Sequence, residues 1–203
     1  MPPTRPPYPA ELAISVKTNY CRDDMLGVKN FRDVGNSLNQ ILGSEIFKSS
    51  VLYRSGALDE ISTRDNLLQL KTIVNLRREK DPDFRNIRLL QVAPLDTMNN
   101  YIFESEIFKE WIQRLYNTLA DETIWPSLLH CTSGKDRTGV GIALLLKNIG
   151  ISDDMIVKEY MLGDYGNRYP ESMTHLLGEM PKFEHLKMKE SQIHTLKRVL
   201  LQK

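Results

Sequence analysis

The run VGIALLLKNI, Val140–Ile149, has one lysine and one asparagine as its only polar side chains. A helix of that composition has no face to offer water, so other elements must surround it. Gly150 follows, the residue type that most readily takes the left-handed conformation in which helices end. Immediately upstream, PSLLHC (Pro126–Cys131) reads as a short buried strand, and the polar segment TSGKDRTG joins the two. A buried strand feeding a buried helix belongs at the centre of a layered α/β fold.

The rest of the chain supplies the layers. SVLYRS (Ser50–Ser55) has the apolar run of a buried strand, TIVNLR (Thr72–Arg77) is a second, and LLQVAPL (Leu89–Leu95) is a third that ends around Pro94. Ser62 caps a helix, with Asp65 three residues on, ahead of Leu67, Leu68 and Leu70. Phe103, Ile107, Phe108, Trp111, Ile112, Leu115 and Leu119 recur at steps of three and four, the core stripe of a long helix rather than a cofactor site. Ser152, followed by Asp153 and Asp154, opens another helix. Ile193, Leu196, Val199 and Leu200 make the inward face of a last one. No repeat or internal boundary interrupts this pattern. The expected organisation is a flexible proline-rich tail over residues 1–10 and one α/β domain over residues 11–203.

Several function classes fall away on composition. Net charge is +1, so nucleic acid is not expected as the main partner, and any anion recognition must be local. No apolar run approaches the roughly 18–20 residues that cross a bilayer, so no membrane insertion is expected. The N-terminus lacks the apolar core of a signal peptide. Cys21 and Cys131 cannot make a disulfide framework, and the expected setting is cytoplasmic. His175, His185 and His194 lack ligand spacing, so neither a metal nor another cofactor is expected.

What remains is the loop HCTSGKDRTG, His130–Gly139. The start of a helix offers free N–H groups and the positive end of its dipole, which together make an anion site. It is not a nucleotide-binding loop: Lys135 is followed by Asp136, and Leu129 stands where the first glycine of that motif belongs. Five residues separate Cys131 from Arg137, enough to wrap backbone amides around a tetrahedral oxyanion while the arginine fork closes over it. The dipole and nearby cations favour the thiolate, positioned to attack phosphorus in line with the leaving oxygen. Thr138 can offer its hydroxyl to that sulfur. The plain alternative is that Cys131 is a small buried hydrophobe.

HCTSGKDRTG resembles the signature loop of the protein tyrosine and dual-specificity phosphatases, in the form of the atypical bacterial and fungal branch that acts on phosphotyrosine and phosphoinositides. KNFRDVGN, LYRSGAL, IVNLRREKD and APLD resemble that branch in the same order, so the likeness spans residues 27 to 165. It implies a central, mostly parallel sheet flanked by helices. It also implies Cys131 as nucleophile, Arg137 as phosphate clamp, and a phosphate cradle made by Thr132, Ser133, Gly134, Lys135, Asp136 and Arg137. The substrate would be a phosphorylated protein or a phosphoinositide.

The resemblance is incomplete at the general acid, because no Trp-Pro-Asp tripeptide occurs. Two candidates stand open: Asp136 inside the cradle, and Asp96, 35 residues before Cys131. Either must hold a proton as the leaving oxygen departs. His130 orients the loop or tunes the thiolate, with a satisfied core histidine as the alternative. Lys135 adds charge at the rim or is simply solvated. Asn30, Phe31, Arg32 and Asp33 are expected to buttress the site, and Arg54 and Arg77 to pair with carboxylates. Asp81 and Asp83 read as a solvated turn around Pro82, and Cys21 as a candidate disulfide partner of Cys131. Two other functions use related features. A rhodanese-type sulfur transferase has a shorter cysteine loop, and a phosphate-binding pseudophosphatase usually lacks the cysteine or arginine present here.

Overall fold

The computed structural model describes residues 27–61, 67–94, 102–163 and 169–202. The proline-rich tail, Cys21, Ser62, Asp65 and Asp96 lie outside the described residues. Five strands form one sheet: β1 (Arg32–Asp33), β2 (Leu52–Ser55), β3 (Thr72–Asn75), β4 (Arg88–Gln91) and β5 (Ser127–His130). Their spatial order is β1-β2-β5-β3-β4. All neighbouring pairs are parallel except the antiparallel β1 and β2. Six α-helices accompany it among the described residues: α1 (Val34–Leu42), α2 (Glu106–Leu119), α3 (Asp136–Asn148), α4 (Asp153–Met161), α5 (Pro170–Glu179) and α6 (Glu190–Leu200).

β5 is hydrogen-bonded on both sides, with Leu128 opposite Tyr53 and Ile73, and Leu129 opposite Arg54 and Val74. Strand residues alternate between faces. Tyr53, Ile73 and Leu128 accordingly enter a small apolar cluster with Phe31, Leu58 and Phe84. Val74 and Leu129 enter a much larger one, to which all six helices contribute. Nine consecutive residues of α3, Thr138–Leu146, are buried, so the helix without a wet face is indeed enclosed. Trp111 and Tyr116 of α2 lie inside the same cluster and keep their polar atoms paired, donating to the carbonyls of Val92 at 2.9 Å and Leu186 at 2.7 Å. Each large apolar side chain buried there contributes about 1.5–3 kcal/mol.

Several expected boundaries move, for local reasons. The polar loop is shorter than its composition suggests. Gly139 already donates to the Lys135 carbonyl at 2.8 Å, so Asp136, Arg137 and Thr138 are the first turn of α3. Phe103 lies before its helix, because the Ser105 hydroxyl accepts from Phe108 N at 3.2 Å and starts α2 at Glu106. Phe103 still packs edge-on against Phe108. β4 ends at Gln91, three residues before Pro94, and β3 ends at Asn75. The described part of the segment expected to be a helix after Ser62 is a 3-10 turn, Leu67–Gln69, with Leu68 and Gln69 at positive φ. Ser152 does precede α4, but its side chain makes no capping bond. β1 and α1 were not anticipated. Asp33 caps α1, its Oδ1 accepting from Asn36 N at 3.1 Å and its Oδ2 from Ser50 N at 2.5 Å.

Candidate active site

Cys131 follows the last residue of β5, at the carboxyl edge of the parallel strands, where open α/β sheets bind ligands. Its side chain belongs to the core and the residue is 2% exposed. The backbone beyond it is held from outside by three donors in succession. Ala57 N donates to the Thr132 carbonyl at 3.0 Å, Asn30 Nδ2 to that of Ser133 at 2.6 Å, and Arg54 to that of Gly134 at 2.9 Å. In a trans peptide the N–H points opposite the preceding carbonyl. Fixing those three carbonyls outward therefore turns the amides of Ser133, Gly134 and Lys135 the other way, as a set. Successive amides pointing one way make an anion-binding concavity.

Gly134 is the residue that permits the tight seat. Its φ is +66°, and a Cβ there would come within 2.5 Å of the Ser55 carbonyl group on β2. Arg137 is fixed at both ends of its fork, donating to the Leu76 carbonyl at 2.9 Å and to the Thr132 hydroxyl at 3.0 Å. Thr138 Oγ1 is buried without a hydrogen-bond partner, so the expected bond to the Cys131 sulfur is not made in this structure. Lys135 is half-buried, its Nζ 3.6 Å from Asp136 Oδ1. The Asp136 side chain is 49% exposed and borders a cavity of about 530 Å³ with Val140, Tyr160, Met173, His175 and Leu176.

The sequence reading of Asp81 is overturned. Far from being a solvated turn residue, its side chain is 1% exposed and both its oxygens are engaged. Oδ2 lies 2.7 Å from His130 Nε2, and Oδ1 accepts from Arg77 at 2.7 Å. Arg77 also grips Asp59 through two bonds of 2.6 and 2.7 Å. That contact, foremost, holds the Asp59 carboxyl below its ordinary range. Asp83 is exposed, as read. The expected pairing of Arg77 holds, and so does that of Arg54, which meets Glu159 Oε2 at 2.6 Å.

Arg32 reaches the other oxygen of Glu159 at 2.8 Å, so one carboxylate of α4 joins β1, β2 and, through Arg54, the loop. Burial alone would raise the Glu159 carboxyl, but the two guanidinium charges outweigh it and hold the group below its ordinary value. Sequence reasoning missed Glu159 and Asp59 and misjudged Asp81. A signal existed for two of them: Asp81 stands four residues after Arg77, and Glu159 sits beside Tyr160 on the buried side of α4.

A cysteine-to-arginine loop thus joins the middle strand of a mostly parallel sheet to an enclosed helix, which makes the molecule an α/β protein with a candidate anion site at its strand ends. A model of the tyrosine phosphatase family matches residues 24–202, and the chain belongs to that family, in its atypical branch. A stretch of 36 residues is 50% identical to the triple specificity protein phosphatase PtpB of Mycobacterium tuberculosis; it covers 18% of this chain and 13% of that relative's length. Two solved structures share the fold. The core catalytic domain of the Saccharomyces cerevisiae PP-IP phosphatase Siw14 aligns with a TM-score of 0.50 at 24% identity, over 64% of this chain and 82% of that one. Pseudomonas aeruginosa TpbA aligns with a TM-score of 0.50 at 16% identity, over 87% and 94%. Among the described residues, no helix is long and apolar enough to cross a membrane.

Proposed function

We propose that the chain hydrolyses phosphomonoesters, phosphotyrosine first, with phosphoserine, phosphothreonine or phosphoinositides as the wider class, through a phosphocysteine intermediate on Cys131. The observation that carries this reading is the set of three loop carbonyls tied back by Ala57, Asn30 and Arg54, which presents amides to an oxyanion before one arrives. Arg137, fixed by Leu76 and Thr132, adds a planar cation to the same loop.

In the first step the Cys131 thiolate attacks phosphorus. A P–S bond forms, the P–O bond to the leaving group breaks, and the departing oxygen takes a proton from an aspartic acid. In the second step water attacks the phosphocysteine, gives its proton to the same carboxylate, and the P–S bond breaks to restore the thiolate and release phosphate. The amides and Arg137 act in both steps, because both pass through a phosphoryl group whose equatorial oxygens carry the charge.

The test is Cys131→Ser. Phosphate release should fall to background while vanadate still binds, since the amides and Arg137 are untouched. Acid quenching of the wild type during turnover of a 32P-labelled substrate should trap labelled protein that the serine variant does not form. Serine-variant turnover near that of wild type would overturn the phosphocysteine route.

A further inference from the structure

Two of the three groups that tie back the signature loop refer to a single carboxylate. Arg54 donates to the Gly134 carbonyl through Nη2, and its Nη1 donates to Glu159 Oε2 at 2.6 Å. Asn30, which donates to the Ser133 carbonyl, stands at a φ of +56°, and its own carbonyl accepts from Arg32 Nη1 at 3.3 Å. Arg32 in turn gives Nε to Glu159 Oε1 at 2.8 Å and Nη2 to the Glu159 carbonyl at 3.0 Å. All three side chains of this trio are at most 1% exposed. A guanidinium is planar and rigid, so fixing one of its nitrogens aims the others. The next residue of α4 meets the far end of the loop: a Cβ on Gly139 would stand 2.9 Å from the Tyr160 ring.

We propose that Glu159 is a positioning residue of the anion site. It acts through Arg54 and, by way of Arg32, through Asn30. With both donors aimed, the carbonyls of Ser133 and Gly134 stay turned outward, and the amides of Gly134 and Lys135 that follow them stay turned inward. The third tie, from the Ala57 amide to the Thr132 carbonyl, is backbone to backbone and does not pass through the carboxylate. This role is opposite in sign to a plain charge effect. A carboxylate near an anion site repels the anion, so Coulomb's law alone has its removal strengthen binding. Positioning has its removal weaken binding, because the amides lose their common aim. The proposal rests on the reading of the loop as a phosphoryl-binding site, and not on the phosphocysteine step.

The test is vanadate affinity, measured on the full chain in wild type, Glu159→Gln and Glu159→Asp. Glutamine keeps the shape and loses the charge that grips two guanidinium groups. Aspartate keeps the charge and is one methylene too short to reach both, and it decides the matter where the glutamine variant fails to fold. Each folded variant should bind vanadate more weakly by on the order of 10²-fold, the scale of a misplacement of about 1 Å in a preorganised site. The control for lost stability is Leu196→Ala, in the core on α6, a helix that makes none of the loop contacts named above. Its affinity should match that of wild type. Unchanged or tighter binding in a folded Glu159 variant would overturn the proposal. So would an equal loss in Leu196→Ala, which would show that affinity merely follows stability. Failure of the phosphocysteine reading would show separately, as absent 32P trapping in a wild type that binds vanadate, and would leave Glu159 its role.

Discussion

Asp136 is the first helical residue of α3, and its half-exposed carboxyl borders the cavity beside the cradle rather than being packed away. Its backbone is part of the loop that would hold the phosphate, and on that ground Asp136 rather than Asp96 is expected to protonate the leaving oxygen. An acid matters most when the leaving group is a poor one. Asp136→Asn should slow hydrolysis of an alkyl phosphate by about 10²–10⁴-fold, the usual worth of general acid catalysis, and an activated aryl phosphate far less. Asp96→Asn should give only a modest, uniform loss. The reverse pattern in steady-state kinetics with the two substrates would move the acid to Asp96. At this scale, the placement of residues contiguous in sequence was legible: the spacing put the loop from Cys131 to Arg137 between a buried strand and an enclosed helix, and it lies between β5 and α3. Asp81 was not, because its chemistry comes from a neighbour 49 residues away, delivered by the register of β3 beside β5.

The strand, loop and helix act as one element because β2 is the floor on which the loop is seated. Gly134 lies against the carbonyl group of Ser55, and Arg54 of the same strand donates to the Gly134 carbonyl. Gly134→Ala adds a Cβ to a left-handed residue and drives it into backbone that cannot rotate aside. The left-handed strain and the overlap together should lower stability by about 2–4 kcal/mol. Urea unfolding should report that loss, and vanadate affinity should fall with it as the loop lifts from β2. Unchanged affinity would show that the tight seat does not shape the anion site. Elements with a strong apolar pattern were readable in advance: β2, β3, β5, the stripe of α2 and the enclosed α3. The polar first turn of α3 was not, since composition cannot tell a helical Asp-Arg-Thr from a loop one. β1 and α1 escaped for a different reason. Two residues make too short a strand for alternation to register, and α1 is held by the Asp33 cap and by Asn39, which bonds the backbone of Ile46 and Phe47.

Across the whole molecule, Glu159 links parts that are far apart in sequence: α4 carries it, β1 and β2 supply its arginines, and Arg54 passes the contact to the signature loop. The pH dependence follows from its depressed carboxyl, which burial opposes and the two guanidinium groups more than restore. An acid whose folded value lies below its unfolded one contributes stability in full above the unfolded value, about 4.3 for glutamate, and loses it as pH falls through the folded value. Asp33 works the other way. Desolvation, its largest influence, raises its carboxyl, so it favours folding more as pH falls. The wild-type acid curve alone therefore mixes the two, whereas the difference between wild type and Glu159→Gln cancels Asp33. At pH 7 the variant leaves two buried guanidinium groups without their countercharge and should be less stable by about 3–5 kcal/mol. As pH drops below about 4.3 the glutamate of the unfolded wild-type chain takes up a proton before the folded one does, so the wild type loses its advantage and the gap should narrow. Urea unfolding of both proteins at pH 7 and at pH 3 measures that gap twice. A gap that stays constant between the two would mean that Glu159 stabilises the fold by shape and hydrogen bonding, with its charge contributing nothing.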